Sequence, residues 1–464
     1  MNHLSREAIP QVALDLASTF REPGFGLWLV GGWVRDALLG KVEADLDLAT
    51  DARPEQSLEI LKQWSRSPPW TTGFEFGTVG VHHQGMRIEV TTFRTEVYHR
   101  DSRNPSVTFG HDLHTDLSRR DFTINAMAIA LPEVLLEDPF GGLNDLVAKR
   151  IRTPLPPRVS FSDDPLRMLR ALRFMSTLGF RPEPEVLEAI EKMHDRLAIV
   201  SAERIRDELS KLMLGGSPSE ALDAATESGL AEEFLPELPA LKLEQDPIHR
   251  HKDVFRHSLA VLDNVTAVDK HDPDLALRLA ALLHDIGKPK TRAFTAKGVT
   301  FHHHEVVGAQ MAEARLAELR YPSRLVNEVK QLVYLHLRFH TYALGWTDRA
   351  VRRYVRDAGP LLWKLNALVR ADCTTRNPAK AARLAKRMDE LEDRIAELES
   401  KEELSRLRPA LNGNEVMAYL GIEPGPLVGE ALDFLMEIRL DEGEIGKQEA
   451  YARLDEWFRN RSGS

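Results

Sequence analysis

The sequence predicts an α+β protein whose strands are concentrated in the first 155 residues, with helices alone after about residue 160. Two observations predict this. Before residue 155, short apolar runs and alternating stretches, which are typical of strands, lie between short helical segments. After it, apolar residues recur at three- and four-residue spacing, which is typical of helices that bury one face. We therefore expect a mixed sheet in the first part and an all-α remainder.

The length of 464 residues exceeds what one core supports, and roughly two to four domains are expected. We predict an α/β head at 1–155, a helical neck at 156–240, a helical body at 241–380 and a helical C-terminal region at 381–464. A Pro- and Glu-rich stretch at 233–247 indicates the boundary between neck and body.

The composition is that of an ordinary globular protein, with 43% hydrophobic and 28% charged residues. The lone Cys373 excludes an intramolecular disulfide and suits a reducing compartment. No apolar run approaches 18 residues, so we expect a cytoplasmic protein that neither crosses nor enters a membrane. The net charge of −10 argues against indiscriminate coating of nucleic acid and is compatible with a local basic site for a defined substrate.

The stretch 27–50 contains the first candidate site. Leu27–Val30 predicts a buried strand, and the turn Gly31-Gly32 opens a short helix that carries Arg35. A glycine turn before a helix exposes backbone N–H groups, and an arginine adds a cation, so this arrangement favours phosphate binding.

The next strand carries Asp45 and Asp47, which alternation places on one face, with Leu46 and Leu48 on the other. Two adjacent carboxylates raise each other's pKa unless a cation lies between them. Carboxylates that share their ion with substrate phosphates are the arrangement that Mg²⁺ prefers. The alternative interpretation is a solvated acidic edge of a strand–turn–helix unit.

Further elements of the head follow. We predict a capped helix at 50–64 and a hairpin of strands at 77–81 and 86–93. Glu89 on the second hairpin strand is a candidate third carboxylate beside the aspartate pair, or else a charged residue on a half-exposed strand. The polar stretch 96–111 predicts a mobile loop.

Two more segments carry chemistry. In SRRDFTINAMA at 118–128, arginine could clamp phosphate and an aspartate or asparagine could bind a ribose hydroxyl, although a capped helix start fits equally well. In the helix predicted at 163–180, Arg167, Arg170 and Arg173 form a basic stripe. Asp164 and Arg167 could present an acceptor and a donor to the edge of a nucleobase. The alternative is that Asp164 only caps the helix and the arginines pair with acids.

The remaining helices are predicted from apolar spacing. One at 201–216 places Glu208 four residues after Arg204, and a long amphipathic helix covers 384–398. The tail at 409–464 begins with two short helices around a Pro-Gly turn.

The order GGWVRDALLG, DLD, RRDFTINAMA, DDPLRMLRALRF and SAERIRDEL, within about 25–235, resembles the five motifs of class II tRNA nucleotidyltransferases. The resemblance implies a polymerase-β-type nucleotidyltransferase head and a neck with a nucleobase-reading helix. It also implies template-independent addition of CCA to tRNA from CTP and ATP by two-metal nucleotidyl transfer.

The resemblance also implies roles for residues. Asp45 and Asp47 would hold two Mg²⁺ ions, with Glu89 as a further catalytic candidate. Asp164 and Arg167 would select CTP or ATP. The predicted nucleotide-binding residues are Gly31, Gly32, Arg35, Arg120, Asp121, Asn125, Asp164, Arg167, Arg170 and Arg173.

The body carries separate His and Asp residues, in VFRHS, LLHDIGKP and RADCTTRN, which resemble an HD domain of metal-dependent phosphohydrolases. Such ligands suit a divalent transition metal. The predicted ligands are His257, His284, Asp285 and Asp372. Further histidines lie between them at 302–304 and at 336. The alternative is a helical body that serves as an RNA platform.

Several functions stay open at this point. Enzymes of the family that add only CC resemble those with a shortened loop after the metal strand, so the presence of 96–111 favours full CCA addition. A poly(A) polymerase would usually bring a basic C-terminal extension, whereas the tail here is mixed in charge. Addition of A alone, an HD phosphohydrolase as the main activity and a non-catalytic RNA-binding scaffold also stay open.

Overall fold

The structure is a computed structural model that forms two compact units, Met1–Pro239 and Ala240–Ser464. It describes residues 5–41, 45–99, 102–110, 112–243, 253–269, 271–295, 298–341, 346–375, 377–401 and 407–462. The division between the units falls within the Pro- and Glu-rich stretch 233–247. The finer division into four domains stays a prediction.

The first unit is built on a six-stranded mixed sheet, as the sequence predicts. Its strands are β1 (Leu27–Val30), β2 (Leu46–Thr50), β3 (Thr78–His83), β4 (Met86–Thr92), β7 (Ala128–Leu131) and β8 (Leu135–Glu137). They lie in the order β3-β4-β2-β1-β7-β8. Only β2 and β4 are parallel neighbours in this sheet, and the other pairs are antiparallel.

The register of β2 and β4 sets the positions of the acidic side chains. Asp47 lies opposite Glu89 in the parallel pair. The alternation predicted for β2 is confirmed, because Leu46 and Leu48 are buried in the core and Asp47 is exposed. Side chains on one face of paired strands are neighbours, so the sheet brings these two carboxylates together.

Ten helices complete the described part of the first unit. They are α1 (Gln11–Arg21), α2 (Gly32–Leu38), α3 (Pro54–Trp64), α4 (Leu113–Ser118), α5 (Gly142–Val147), α6 (Pro157–Asp163), α7 (Leu166–Leu178), α8 (Pro184–Met193), α9 (Ala202–Met213) and α10 (Pro218–Glu227). Helices α1 and α3 pack against strands of the sheet, while α7 packs between α9 and α10.

The prediction of a loop at 96–111 is wrong for the described residues. β5 (Arg94–His99) and β6 (Ser102–Phe109) form an antiparallel hairpin, while Arg100 and Asp101 lie outside the described residues. The segment is polar, but its β-branched residues favour strands, and a proline is tolerated in a hairpin whose strands are both edges.

The expectation of helices alone after residue 160 is wrong in two short places. β9 (Arg150–Ile151) pairs with β10 (Arg181–Pro182), and β11 (Ala293–Thr295) pairs with β12 (Gly298–Thr300). Pairs this short leave too few residues for an alternating pattern, so sequence periodicity does not reveal them.

The second unit is otherwise helical. Its helices are α11 (Val254–Asp269), α12 (Leu275–Leu283), α13 (Lys288–Thr291), α14 (His304–Glu318), α15 (Ser323–Leu335), α16 (Arg338–Thr341), α17 (Asp348–Ala358), α18 (Leu362–Ala371), α19 (Pro378–Lys401), α20 (Gly413–Leu420), α21 (Pro426–Glu442) and α22 (Lys447–Ser462). The long helix predicted at 384–398 is confirmed within α19. The tail holds three helices, and two of them are long.

A helix cap and a buried ion pair fix the helices that carry the predicted HD ligands. Asp274 caps α12 by accepting a hydrogen bond from the Leu277 N–H at 2.8 Å. Arg278 of α12 donates to Asp269 at the end of α11 at 2.6 Å, and both side chains are almost completely buried. Within the described residues, no helix is both long and apolar enough to span a membrane.

Candidate functional site

Three carboxylates lie near one another at β2 and β4, two neighbouring inner strands of the sheet in the first unit. Asp45 immediately precedes β2, Asp47 lies within it, and Glu89 lies opposite Asp47 on β4. Asp45 and Asp47 are exposed to solvent, while Glu89 is partly exposed and forms an ion pair with Arg87. The structure therefore brings together the three acidic residues that the sequence suggests for the catalytic centre.

The electrostatics of this group fit a cation. Desolvation by the surrounding protein raises the pKa of Asp47, and the negative charges of Glu89 and Asp45 raise it further. The positive charges of Arg120 and Arg87 lower it. A carboxylate whose charge is opposed by two other carboxylates is stabilised by a bound divalent ion. Oxygen donors of this kind are what Mg²⁺ prefers. Among the described residues, groups of three or more His, Cys, Asp or Glu side chains whose ligand atoms all lie within 4.8 Å of one another occur in the second unit only.

The glycine turn lies beside Arg120. Gly31 has a φ of 71° and a ψ of −136°, a backbone conformation that residues with a Cβ rarely adopt. A Cβ at Gly31 would lie 3.0 Å from Nη1 of Arg120. Nη2 of Arg120 contacts Asp116 at 3.2 Å, and its Nε is buried with no hydrogen-bond partner. The guanidinium of Arg120 thus lies beside the turn and close enough to Asp47 to lower its pKa.

Arg35 on α2 is held by two side-chain partners. It pairs with Asp36 and donates from Nη1 to the side-chain oxygen of Asn125 at 2.8 Å. Asn125 in turn donates to Asp121 at 2.9 Å. The predicted ribose and phosphate residues are therefore linked to one another by hydrogen bonds.

Asp121 is the centre of this network. One carboxylate oxygen accepts from the Phe122 N–H at 2.8 Å and from Asn125, and the other accepts from Nε of Arg170 at 2.9 Å. Burial alone would raise the pKa of Asp121, but Arg170 and Asn125 outweigh it and lower the pKa well below its usual range. Asp121 is consequently a buried anion that joins the head to α7.

The predicted base-reading pair lies at the junction of α6 and α7. Asp164 has extended backbone between the two helices, and one of its oxygens accepts from the Leu166 N–H at 3.2 Å. The prediction of Asp164 at the N-cap is off by one residue, because Pro165 is the N-cap of α7, although the Asp164 side chain still accepts from the first N–H of the helix. The other oxygen of Asp164 accepts from Nη2 of Arg204 at 2.8 Å.

Arg167 is 8% exposed, and its terminal nitrogens donate to protein atoms. Nη1 donates to the Ser160 hydroxyl at 2.9 Å, and Nη2 donates to the Arg119 carbonyl at 2.5 Å. Arg167 therefore ties α7 to α6 and to the head. A role in base reading must use its remaining N–H groups.

The other two arginines of the stripe share one acidic partner that sequence patterns do not assign to the site. Glu208 of α9 is buried and lies 3.4 Å from Arg170 and 2.5 Å from Arg173. Arg173 also lies over the ring of Phe174, 3.9 Å from its centroid. The only sequence signal for this partner is the i, i+4 spacing of Arg204 and Glu208.

The second unit holds a cluster of six metal-ligand side chains. His257 lies on α11, and the other five lie at the first or last turn of helices or directly after them. They form two groups whose ligand atoms all lie within 4.8 Å of one another. The first group is His257, His284 and Asp372, and the second is Asp285, His304 and His336.

Asp285 belongs to the second group and also lies close to the histidines of the first. Its Oδ2 is 3.2 Å from Nε2 of His284 and 3.5 Å from Nε2 of His257, and its Oδ1 is 3.3 Å from Nε2 of His304. His336 Nε2 lies 4.0 Å from the same Oδ1. One carboxylate thus has an oxygen turned towards each group, as a bridging ligand between two ions would.

Hydrogen bonds fix the ring orientation of the buried histidines. Nδ1 of His284, His304 and His336 donates to the carbonyl three residues earlier in the chain, at 2.8, 2.7 and 2.6 Å. Because a carbonyl only accepts, Nδ1 carries a proton, and Nε2 of each ring points to the cluster, where it presents a lone pair when the ring is neutral. Nε2 of His304 and of His336 is buried without a hydrogen-bond partner. Such nitrogens fit a metal ion.

The protonation equilibria agree with a neutral ring for His336, whereas for His284 burial is outweighed by the charge of Asp285, which raises the pKa of that ring. Burial, then the charge of His284, lowers the pKa of His336 to about 3, so its ring is neutral near neutral pH. Burial opposes the charge of Asp372, but His257 and His284 outweigh it and lower the pKa of Asp372. Neutral imidazoles and ionised carboxylates are the forms that ligate metals.

A cavity of about 320 Å³ opens beside this cluster. Two of the ligands, His257 and Asp372, contribute to its wall together with Lys288, Phe301 and Lys380. Lys288 also donates to Asp285 at 2.6 Å. The cavity offers space and positive charge for a phosphorylated small molecule. His304 and His336 lie outside the ligand set predicted from sequence. His304 belongs to a run of three histidines, which gives no signal for which one faces inward, and His336 stands outside the motifs that resemble an HD domain.

Comparisons with known proteins agree with the two-part organisation. The family model of the poly A polymerase head domain matches residues 27–152. The model described as "Probable RNA and SrmB- binding site of polymerase A" matches residues 179–241, and that of the HD domain matches residues 254–398.

Curated relatives match along almost the whole chain. An A-adding tRNA nucleotidyltransferase of Deinococcus radiodurans is 34% identical over 450 residues, covering 95% of this chain and 97% of the relative. A CCA-adding enzyme of Geobacillus stearothermophilus is 32% identical over 454 residues, covering 97% and 98%.

Solved structures show the same architecture. The Bacillus stearothermophilus CCA-adding enzyme in complex with CTP matches with a TM-score of 0.68 at 28% identity and covers 98% of both chains. The Thermotoga maritima CCA-adding enzyme complexed with tRNA_CCA shares the fold, with a TM-score of 0.60 at 20% identity over 97% and 95% of the chains. The polymerase-type head with its mixed sheet, the helical remainder and the full-length relatives lead to one conclusion: this chain is an enzyme of the class II tRNA nucleotidyltransferases, in the bacterial tRNA nucleotidyltransferase/poly(A) polymerase family, and it carries an HD domain.

Proposed function

We propose that this enzyme completes the 3′ end of tRNA by adding CCA from CTP and ATP. The observation that carries the proposal is that Asp47 and Glu89 face each other on parallel strands, close to Asp45 and Arg120. This arrangement belongs to a chain that is 30–34% identical to full-length CCA-adding and A-adding enzymes.

In the proposed reaction, the 3′-hydroxyl oxygen of tRNA attacks the α-phosphorus of the nucleotide. The bond from that phosphorus to the β-phosphate oxygen breaks, and pyrophosphate leaves. Asp45 and Asp47 would hold magnesium, which would supply positive charge that favours loss of the hydroxyl proton and neutralises the pyrophosphate. Arg120 lies close enough to Asp47 to affect its pKa, and its Nη1 lies beside the glycine turn, so the guanidinium is placed to bind the triphosphate next to that centre.

Nucleotide choice is assigned to Asp164. Cytosine and adenine each present an exocyclic amino donor, whereas uracil and guanine present a carbonyl at the corresponding position. A carboxylate at Asp164 accepts from the amino group and repels the carbonyl. Arg167 contributes a donor for the neighbouring ring nitrogen through the N–H groups that Ser160 and Arg119 leave unused.

Addition of A alone is the nearest alternative, because the Deinococcus relative that matches 95% of this chain is an A-adding enzyme. The segment 96–111 favours CCA over CC addition. It does not separate CCA from A addition.

The deciding experiment offers labelled CTP and ATP to two tRNAs, one lacking CCA and one ending in CC. Full CCA addition extends the first by three nucleotides when both nucleotides are present and the second by one A. An A-adding enzyme extends only the second tRNA. A long ladder with ATP alone would indicate poly(A) polymerase. Loss of every product in Asp45→Ala shows that the signal comes from the head.

A second activity is proposed for the HD cluster, because two buried Nε2 atoms without hydrogen-bond partners lie near the carboxylate of Asp285. A divalent transition metal bound there would supply a Lewis acid for hydrolysis of a phosphoester. Lys288 and Lys380 line the adjoining cavity and can hold the phosphate.

The test measures both metal content and hydrolysis of 2′,3′-cyclic nucleotides in Mn²⁺-loaded protein. We expect EDTA-sensitive hydrolysis that Asp45→Ala leaves unchanged. His304→Ala should lower the bound metal measured by plasma mass spectrometry. His303→Ala is the matched control, because that neighbouring side chain is 83% exposed. Equal metal content in both variants would contradict the assignment of His304.

A further inference from the structure

Helix α9 carries two opposite charges that contact the junction of α6 and α7, where the predicted base-reading pair lies. Arg204 and Glu208 are four residues apart and therefore lie on one face of the helix. Arg204 contacts the acceptor Asp164, and Glu208 contacts the donors Arg170 and Arg173. The helix thus supplies each charge of the junction with a partner of opposite sign.

Arg204 contacts one of the two carboxylate oxygens of Asp164. Among the residues that the structure describes, the carboxylate of Asp164 has one further bond, from the Leu166 N–H at 3.2 Å. The Arg204 bond is shorter, at 2.8 Å, and carries charge on both partners. Charge-assisted bonds of this kind are roughly twice as strong as neutral ones. Two bonds to different oxygens fix the carboxylate plane, whereas one bond leaves it free to rotate.

Acceptor capacity remains on Asp164 after both bonds. A carboxylate has about four lone-pair directions, and the side chain of Asp164 is 21% exposed. A donor from a bound nucleotide can therefore reach a carboxylate that is already oriented. Pre-orientation of this kind lowers the entropy that binding must overcome.

We infer that Arg204 is a positioning residue for nucleotide selection, which it exerts by fixing the carboxylate plane of Asp164. This inference rests on the proposed role of Asp164 in reading the base. Arg204 touches no substrate in this role. Its loss should affect the discrimination between amino-bearing and carbonyl-bearing bases more than the rate of phosphoryl transfer.

The test compares Arg204→Gln and Arg204→Lys with the matched control Arg206→Gln on the same helix. Arg206 pairs with its neighbour Asp207 at 2.7 Å. Incorporation of CTP, ATP, UTP and GTP onto tRNA lacking CCA, and of ATP onto tRNA ending in CC, is measured one nucleotide at a time. For Arg204→Gln we expect KM for CTP and ATP to rise about threefold to tenfold, with kcat nearly unchanged. The preference over UTP and GTP should fall by a similar factor.

Arg204→Lys should recover part of the selection, because an ammonium can donate to the same oxygen. Arg206→Gln should behave as the wild type. A purely structural role would lower the melting temperature and reduce incorporation of all four nucleotides equally, which would overturn the inference. Asp164→Asn separates the two levels: unchanged selection in Asp164→Asn refutes base reading itself. Lost selection there with intact selection in Arg204→Gln refutes only the inference about Arg204.

Discussion

At the scale of residues, Asp121 shows how a predicted substrate contact can also be a structural anion. It is buried and bonded to Arg170, Asn125 and the Phe122 N–H. A contact with the nucleotide ribose must therefore share an oxygen with these donors. The carboxylate remains ionised in the folded protein, because its pKa is held well below the usual value of 3.8.

This depressed pKa predicts an acid-side loss of stability. The unfolded chain binds a proton at Asp121 near pH 4, whereas the folded protein does not, so the stabilisation present above about pH 4 is lost as the pH falls further. We expect Asp121→Asn to cost about 2 kcal/mol at pH 7 and less at pH 3.5. Calorimetric melting at both values measures the difference. Asp207→Asn, at an exposed pair, should change little at either pH, and equal destabilisation by Asp121→Asn at both would contradict the assignment.

Some of these residue contacts could be predicted from the sequence, and others could not. The i, i+2 spacing of Asp45 and Asp47 is local, so alternation along a strand is sufficient to place them together. The partners of Asp121 are not local, since Arg170 lies 49 residues away. Glu208, 38 residues after Arg170, has no local signal that directs it to that arginine. Such pairs depend on how α7 and α9 pack.

At the scale of elements, the turn between β1 and α2 positions Arg120 as well as the backbone. We expect Gly31→Ala to strain the backbone by about 1–3 kcal/mol and to displace the Arg120 guanidinium, because the new Cβ would lie 3.0 Å from Nη1. The KM for CTP should rise about threefold to tenfold through loss of one charged contact. Steady-state incorporation kinetics measure this change.

Gly40→Ala is the matched control for this prediction. Gly40 ends the same helical segment with a φ of 74°, and no atom lies within 4 Å of the Cβ position. Its substitution should lower the melting temperature while leaving the KM for CTP unchanged. If both variants raised KM equally, strain in the segment rather than displacement of Arg120 would be the cause.

The elements that are predicted well from the sequence are those with strong periodicity. β1 has the predicted bounds, and α19 contains the predicted long amphipathic helix. The hairpin β5–β6 resembles a loop in sequence because its polar residues and its proline outweigh its β-branched residues when each segment is considered alone. Strand pairing, which stabilises such a hairpin, is not visible in a local pattern.

At the scale of the whole molecule, the carboxylates of the head and the HD cluster belong to different compact units. The first unit ends at Pro239, and the second begins at Ala240. Each has its own buried apolar residues. The HD cluster is drawn from five helical segments separated by up to 115 residues, and the sequence motifs identify His257, His284, Asp285 and Asp372 among its members. The inward direction of His304 and His336 follows from helix packing.

Because the two sites lie in separate compact units, we predict that nucleotide incorporation and the activity of the HD cluster can be removed independently. Asp47→Asn should abolish nucleotide incorporation and leave metal binding at the HD cluster unchanged. The protein should keep or slightly raise its melting temperature at pH 7, because the raised pKa of Asp47 means that its charge opposes folding there.

His304→Ala should lower bound transition metal and phosphoester hydrolysis while CCA addition continues at the wild-type rate. Asp15→Asn, at an exposed position on α1, serves as the neutral control for both assays. If His304→Ala stopped nucleotide incorporation in protein whose melting temperature is unchanged, the two sites would be coupled and the independence of the units would be refuted.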